Sequence, residues 1–152
     1  MLKPTDEAPP PYIHRRQVWW GDTDSARIAF TGRFLDFAME ALEAWFVDLF
    51  GITWYDLNMD LGYGTPFRAA ALDFKAPVTP RDLLEIEVRV SHVGTTSLRY
   101  TIAAHGVSKQ QGRRLCFTGE FACVFVKSAT LEKVAIPDEF RQKLAAAGWC
   151  AA

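Results

Sequence analysis

The sequence predicts an α+β domain in which one long helix lies against an antiparallel sheet. Three observations predict it. Only one stretch, starting at Phe34, repeats apolar residues at three-and-four spacing over several turns. Downstream, runs rich in β-branched and aromatic residues are separated by short clusters of turn formers, the pattern of antiparallel hairpins. No repeat, low-complexity tract or composition shift marks a second domain in 152 residues, a length that closes a single core.

The elements follow in order. Residues 1–11 are polar and proline-rich and are expected to form a flexible arm, leaving 12–147 as the domain. Tyr12 to Trp20 reads as a strand, and Gly21-Asp22-Thr23-Asp24-Ser25 is a run of turn formers. The helical stripe comprises Phe34, Phe37, Ala38, Ala41, Leu42, Trp45, Phe46 and Leu49, with Asp36, Glu40, Glu43 and Asp48 mostly off it. Thr31 is the expected N-cap and Gly51 the residue that ends the helix after Phe50. Thr53 to Asp60 adds a short helical turn. Phe67 to Phe74 is the next strand, and Val78 to Asp82 a turn. Leu83 to Val93 alternates, with Leu84, Ile86, Val88 and Val90 on one face and Glu85, Glu87 and Arg89 on the other. Gly94-Thr95-Thr96 leads into a strand from Ser97 to Val107, and Lys109-Gln110-Gln111-Gly112 into another from Arg114 to Val126. Pro137 to Ala147 reads as a short terminal helix with Pro137 near its start.

Composition excludes several classes. Seventeen Lys and Arg against eighteen Asp and Glu leave a formal charge of −1, so there is no global footprint for nucleic acid or an anionic membrane. No apolar run approaches the roughly 20 residues of a membrane span. The first residues lack the apolar core of a signal peptide, so the expected compartment is the cytoplasm. Cys116, Cys123 and Cys150 are odd in number and form no Cys-x-x-Cys, which predicts free thiols rather than a disulfide or zinc framework. Five Trp, four Tyr and eleven Phe are many for this length, and point to an oligomer or an apolar ligand pocket.

Chemistry concentrates at Trp20-Gly21-Asp22-Thr23-Asp24-Ser25-Ala26-Arg27. Two carboxylates stand two residues apart just before the long helix. A helix start offers free N–H groups that stabilise an oxyanion, and a nearby carboxylate can attack an acyl carbon or activate water. The same pattern also suits ordinary caps and turns, or an Asp-x-Asp magnesium or calcium site that would need further oxygen ligands. His14, His92 and His105 are scattered. Gly62-Tyr63-Gly64-Thr65-Pro66 lacks the lysine and third glycine of a phosphate loop, and no Gly-x-Ser-x-Gly elbow is present.

The run Val18-Trp19-Trp20-Gly21-Asp22-Thr23-Asp24-Ser25-Ala26 before an aromatic-rich helix resembles the hotdog-fold acyl-CoA thioesterases, in particular the 4-hydroxybenzoyl-CoA thioesterase branch. Gly64-Thr65-Pro66 and the segment from Phe74 to Leu83 are similar to that branch as well, so the likeness spans residues 13–140. The resemblance implies a sheet wrapped around one central helix, and homodimers or homotetramers with active sites between subunits. It implies that Asp24 is the catalytic carboxylate and that the backbone N–H of Thr31 or Gly32 binds the carbonyl oxygen. It implies that Trp54 and Thr65 contact the acyl group, and that no metal or redox cofactor takes part. The chain departs from the branch at Phe30-Thr31, where many relatives carry Tyr-His or Trp-Tyr, and at Met39, where relatives carry an acid that Glu40 misses by one position. Gly94-Thr95-Thr96-Ser97 lacks the basic cluster that could hold a nucleotide, so no nucleotide site follows from the likeness.

The expected activity is hydrolysis of an acyl-CoA, aromatic in the branch resembled. The alternatives are a thioesterase acting on acyl carrier protein and a non-catalytic acyl-CoA-binding module. A hydratase would want a His-centred site. A sensor module would carry a DNA-binding domain, for which the arm before Tyr12 is expected to be too short.

Overall fold

A computed structural model describes residues 7–151. Its main sheet has five antiparallel strands in the order β1-β4-β5-β6-β3. These are β1 (Tyr12–Gln17), β3 (Phe67–Phe74), β4 (Leu83–Val93), β5 (Ser97–Ser108) and β6 (Gly112–Val124). Helix α1 (Thr31–Phe50) lies on one face, followed by α2 (Trp54–Leu61), and α3 (Asp138–Ala146) closes the end. A small sheet pairs β2 (Tyr63–Gly64) with β7 (Val126–Lys127).

The two periodicities produce this layer. Phe34, Phe37, Ala38, Ala41, Leu42, Trp45, Phe46 and Phe50 are the buried stripe of α1. They meet the inward residues Leu84, Ile86, Val88, Leu98, Tyr100, Ile102, Ala104, Phe117 and Phe121 of the sheet. An extra residue breaks the register at Ser91 in β4, at Cys116 in β6 and at Arg68 in β3, and such bulges bend the strands that carry them. Gly51 ends α1 at φ 74°, a left-handed conformation that glycine adopts without strain, and its N–H donates to Val47 O. Thr53 and Asp56 form a reciprocal capping box that starts α2, one residue past the expected start.

Three expectations need correction. Strand β1 stops at Gln17 rather than Trp20, because Gln17 pairs with Leu83, the first residue of β4. Trp20–Asp22 is instead a 3-10 turn. The N-cap of α1 is Phe30, not Thr31, which is the first helical residue. Tertiary bonds replace the side-chain cap there: Ala29 N donates to Val78 O at 2.8 Å, and Phe30 N to Asp22 O at 3.1 Å. Finally, β3 and β4 do not form a hairpin despite their short connection. Strand β3 pairs with β6 at one edge, and residues 75–82 carry the chain across to β4 beside β1. Of the expected arm, residues 1–6 lie outside those described, while Pro9 O accepts a hydrogen bond from Arg89 Nη1 at 3.3 Å. No helix among the described residues is long and apolar enough to cross a membrane.

Candidate active site

The two aspartates of the turn have opposite surroundings. Asp22 is 4 % exposed. It accepts both terminal nitrogens of the Arg16 guanidinium, and the Trp19 N–H at 2.8 Å, while Arg33 Nε stands 3.6 Å from Oδ1. Burial alone would raise its pKa. The Arg16 hydrogen bonds, the Trp19 amide and the two guanidinium charges outweigh that and hold it below the ordinary carboxylate value. Arg16 is fixed in turn by Glu40 at 3.2 Å and by the ring of Phe37, 4.6 Å below its guanidinium. Asp22 is therefore a brace between β1, the turn and α1.

Asp24 is exposed. Thr23 and Ala29 pair across the neck of the loop that carries it, Asp24 N donates to Ile28 O at 3.2 Å, and Arg27 N donates to Asp24 O at 2.9 Å. Its carboxylate accepts one bond, from Ala26 N to Oδ1 at 2.8 Å. Oδ2 has no protein donor among the described residues. The loop closes through Arg27 at φ 66°, a conformation that costs a non-glycine residue roughly 1–2 kcal/mol.

The same loop leads straight into α1, whose first turn is unusually bare. No side chain caps it and no acidic residue stands in it. Arg33 N turns back to Phe30 O at 3.0 Å, whereas the N–H groups of Thr31 and Gly32 have no acceptor among the described residues. The Phe30 ring lies over Gly32, where an added Cβ would approach its Cε2 to 2.6 Å. Glycine thus lets an aromatic ring fold onto the helix tip. A carboxylate with a free oxygen and two free amide donors at a positive dipole end are the parts that acyl transfer uses.

Residues 18–144 match the thioesterase-like superfamily. The chain belongs to that family. Its fold is the hotdog fold, and as an enzyme it is a thioester hydrolase. Among solved structures it is similar to a thioesterase-superfamily protein from Jannaschia sp. CCS1, with 35% identity over 96% of this chain and 97% of that one, at a TM-score of 0.77. The 4-hydroxybenzoyl-CoA thioesterase of Pseudomonas sp. strain CBS-3 superposes at a TM-score of 0.80 with 17% identity, covering 88% and 99% of the two chains. A 1,4-dihydroxy-2-naphthoyl-CoA thioesterase from Synechocystis does so at 0.73 with 20% identity, covering 88% and 95%. These last two likenesses are of fold. No curated protein sequence matches significantly.

The remaining residues singled out in this thioesterase stand elsewhere. Trp54 is the first residue of α2, half-buried, with its ring 6.3 Å from Phe46 and 5.9 Å from Phe67. Thr65 is half-buried between β2 and β3. Phe46 is fifteen residues along α1 from Thr31, about 22 Å at 1.5 Å per residue. One chain therefore gathers Asp24, Thr31 and Gly32 at one end of the helix and Trp54 and Thr65 toward the other.

Sequence reasoning missed the arginines that sort the carboxylates. Arg16 sits among polar β1 residues, and nothing local marks it as the partner of Asp22. Asp82, read as a turn residue, is 1 % exposed and held bidentately by Arg114, with both contacts 2.8 Å. Thr79 N adds a third bond at 2.8 Å. Burial raises the Asp82 pKa, but the Arg114 and Thr79 bonds and the Arg114 charge lower it further, to a net value below the ordinary one. Signals for such pairs are long-range and leave no spacing in the sequence.

Proposed function

We propose that the enzyme hydrolyses an acyl-coenzyme A, with an aromatic acyl group of the 4-hydroxybenzoyl kind, to the free acid and coenzyme A. The carrying observation is the sorting of the carboxylates: Asp22 is neutralised by Arg16, while Asp24 keeps a free oxygen beside an uncapped helix start. In this reading the thioester carbonyl accepts from the N–H of Thr31 or Gly32. Asp24 either attacks the carbonyl carbon, expelling the thiolate and leaving an anhydride that water opens, or takes a proton from the attacking water. Both routes give acid and thiol, and neither calls for a metal or redox cofactor.

The reading includes a homodimer, paired into a homotetramer where larger assemblies form. Among the described residues strand β3 has only β6 beside it, and Ala69, Ala70 and Ala71 are exposed along it. A long, small-residue edge of this kind is a template for a second copy. In such a dimer, Trp54 and Thr65 of one chain complete the acyl pocket begun by Asp24 of the other, which accounts for their separation within one chain. The free thiols of Cys116, Cys123 and Cys150 are compatible with a cytoplasmic setting.

The test is a hydrolysis screen over short, long and aryl CoA thioesters with Asp24→Asn and Asp24→Ala alongside. Aryl thioesters are expected to turn over best, and each variant to lose about 100-fold or more in kcat while keeping its unfolding midpoint. Folded variants that turn over like the parent remove Asp24 from the mechanism.

A further inference from the structure

Beside the Asp24 loop lies an open groove of about 520 Å³. It is built where the Trp20 turn, the Val78–Asp82 turn and the β5–β6 turn converge. Arg114 lines it, with the terminal nitrogens of its guanidinium bonded to Asp82, to Pro77 O at 2.9 Å and to Gly106 O at 3.4 Å. A Cβ at Gly106 would lie 3.2 Å from both Arg114 Nη1 and Asp82 Oδ1, so glycine leaves the room this pair needs. The Asp82 charge is therefore spent inside the fold.

Two other guanidiniums line the same groove with their charge unspent. Arg27 and Arg81 are exposed and make no ion pair or side-chain hydrogen bond among the described residues. Trp20, 72 % exposed, is on the same wall, and Gln110 and Gln111 are at the rim. Two free forks match phosphate oxygens bidentately, and an open indole face is a platform for a base. Apart from Trp20 and Pro80 every lining residue carries a polar or charged group, so the groove offers hydrogen-bonding partners to the polar end of a ligand. Arg27 is three residues past Asp24 and bonded to it through the backbone, so the groove opens on the loop that carries the carboxylate.

We propose that this groove binds the phosphate-bearing adenine nucleotide of coenzyme A, with phosphates on Arg27 and Arg81 and the base against Trp20. The assignment rests on the reading of the chain as a coenzyme A thioesterase and makes the nucleotide the feature that separates that substrate from an acyl group on a carrier protein.

The experiment titrates coenzyme A, adenosine 3′,5′-bisphosphate and ATP into the full chain, followed by calorimetry and tryptophan fluorescence. It compares the parent with Arg27→Ala/Arg81→Ala, Arg27→Lys/Arg81→Lys and Trp20→Ala. Coenzyme A and the bisphosphate are expected to bind the alanine pair about tenfold or more weakly, the lysine pair in between, and the parent less tightly as salt rises. The ratio of kcat/KM for an acyl-CoA over the same acyl-pantetheine is expected to fall by the same factor, through KM. Equal binding by parent and alanine pair, or no binding by the parent, overturns the assignment. Tighter binding of ATP than of coenzyme A overturns it too, in favour of a free nucleotide. If the parent hydrolyses no CoA thioester yet the alanine pair alone loses coenzyme A binding, the groove stands and the reading of the chain as a coenzyme A thioesterase fails.

Discussion

The two ends of α1 are built by opposite rules. At its C-terminal end, Gly51 closes the helix in the left-handed conformation, and Phe46, Phe50, Trp54 and Phe140 pack ring against ring, with Phe46–Phe50 centroids 4.7 Å apart and Phe50–Phe140 4.8 Å. Gly51 N donates to Val47 O and Lys143 Nζ to Phe50 O, and apolar area is buried. At its N-terminal end the cap is a phenylalanine, two amides are unpaired among the described residues, Arg27 is left-handed, and Trp19 and Trp20 stand 64 % and 72 % exposed. One end follows the rules of stability. The other breaks several at once between Trp19 and Gly32, and such clustering of local violations is how functional sites stand out in folded proteins.

The largest stability effect is expected at the well-made end. Phe46 is 1 % exposed and touches the helix end, α2 and α3. Phe46→Ala should cost about 3–5 kcal/mol of unfolding free energy in urea titration, from lost burial and the cavity left behind. A loss under about 1 kcal/mol would mean that the aromatic cluster repacks freely and the contrast between the ends is overstated.

The next prediction separates the two aspartates at the other end. Asp22→Asn removes the buried anion from Arg16 and leaves it only the more exposed Glu40, in a site where the Asp22 and Arg16 side chains are 6 % and 20 % exposed, and should cost about 3 kcal/mol. Asp24→Asn, at an exposed position, should stay within about 0.5 kcal/mol of the parent. The pH dependence follows from the lowered pKa of Asp22. Its contribution is complete above the unfolded carboxyl value of about 3.9, and is lost as pH falls below that through the depressed folded value. Unfolding free energy of the parent should therefore fall more steeply below about pH 4 than that of Asp22→Asn. Parallel curves would mean that Arg16 and Asp22 are no more coupled folded than unfolded.

The same contrast explains what could be read from the residues alone. The α1 stripe and the inward set Leu84, Ile86, Val88 and Val90 were legible because burial of one face imposes a period on the chain itself. The place of β3 was not, since eight residues between Phe74 and Leu83 suit a hairpin and a crossover equally, and pairing with β6 is decided some fifty residues on. The N-cap was misread because Thr31 has the right side chain in the right neighbourhood, whereas the bonds that start the helix come from Val78 and Asp22. The pair Asp22 and Asp24 was visible as chemistry, but which is brace and which is free depends on Arg16, carried in by the β1–β4 register.

Phe30 supplies the smallest effect and the sharpest contrast. A serine at the N-cap accepts from the N–H of the second or third helical residue, here Gly32 or Arg33. Phe30→Ser should thus add about 0.5–1 kcal/mol by capping, less what is lost as the ring leaves Gly32 and the Arg33 guanidinium, whose carbon lies 5.6 Å from its centroid. The serine oxygen would then compete with a thioester oxygen for the Gly32 amide. Stability measured by urea should hold or rise while kcat falls about tenfold, a trade a purely structural helix start would not make. If kcat holds while the cap forms, the Gly32 amide is not the donor, and Thr31, whose N–H an N-cap side chain does not reach, becomes the one to test.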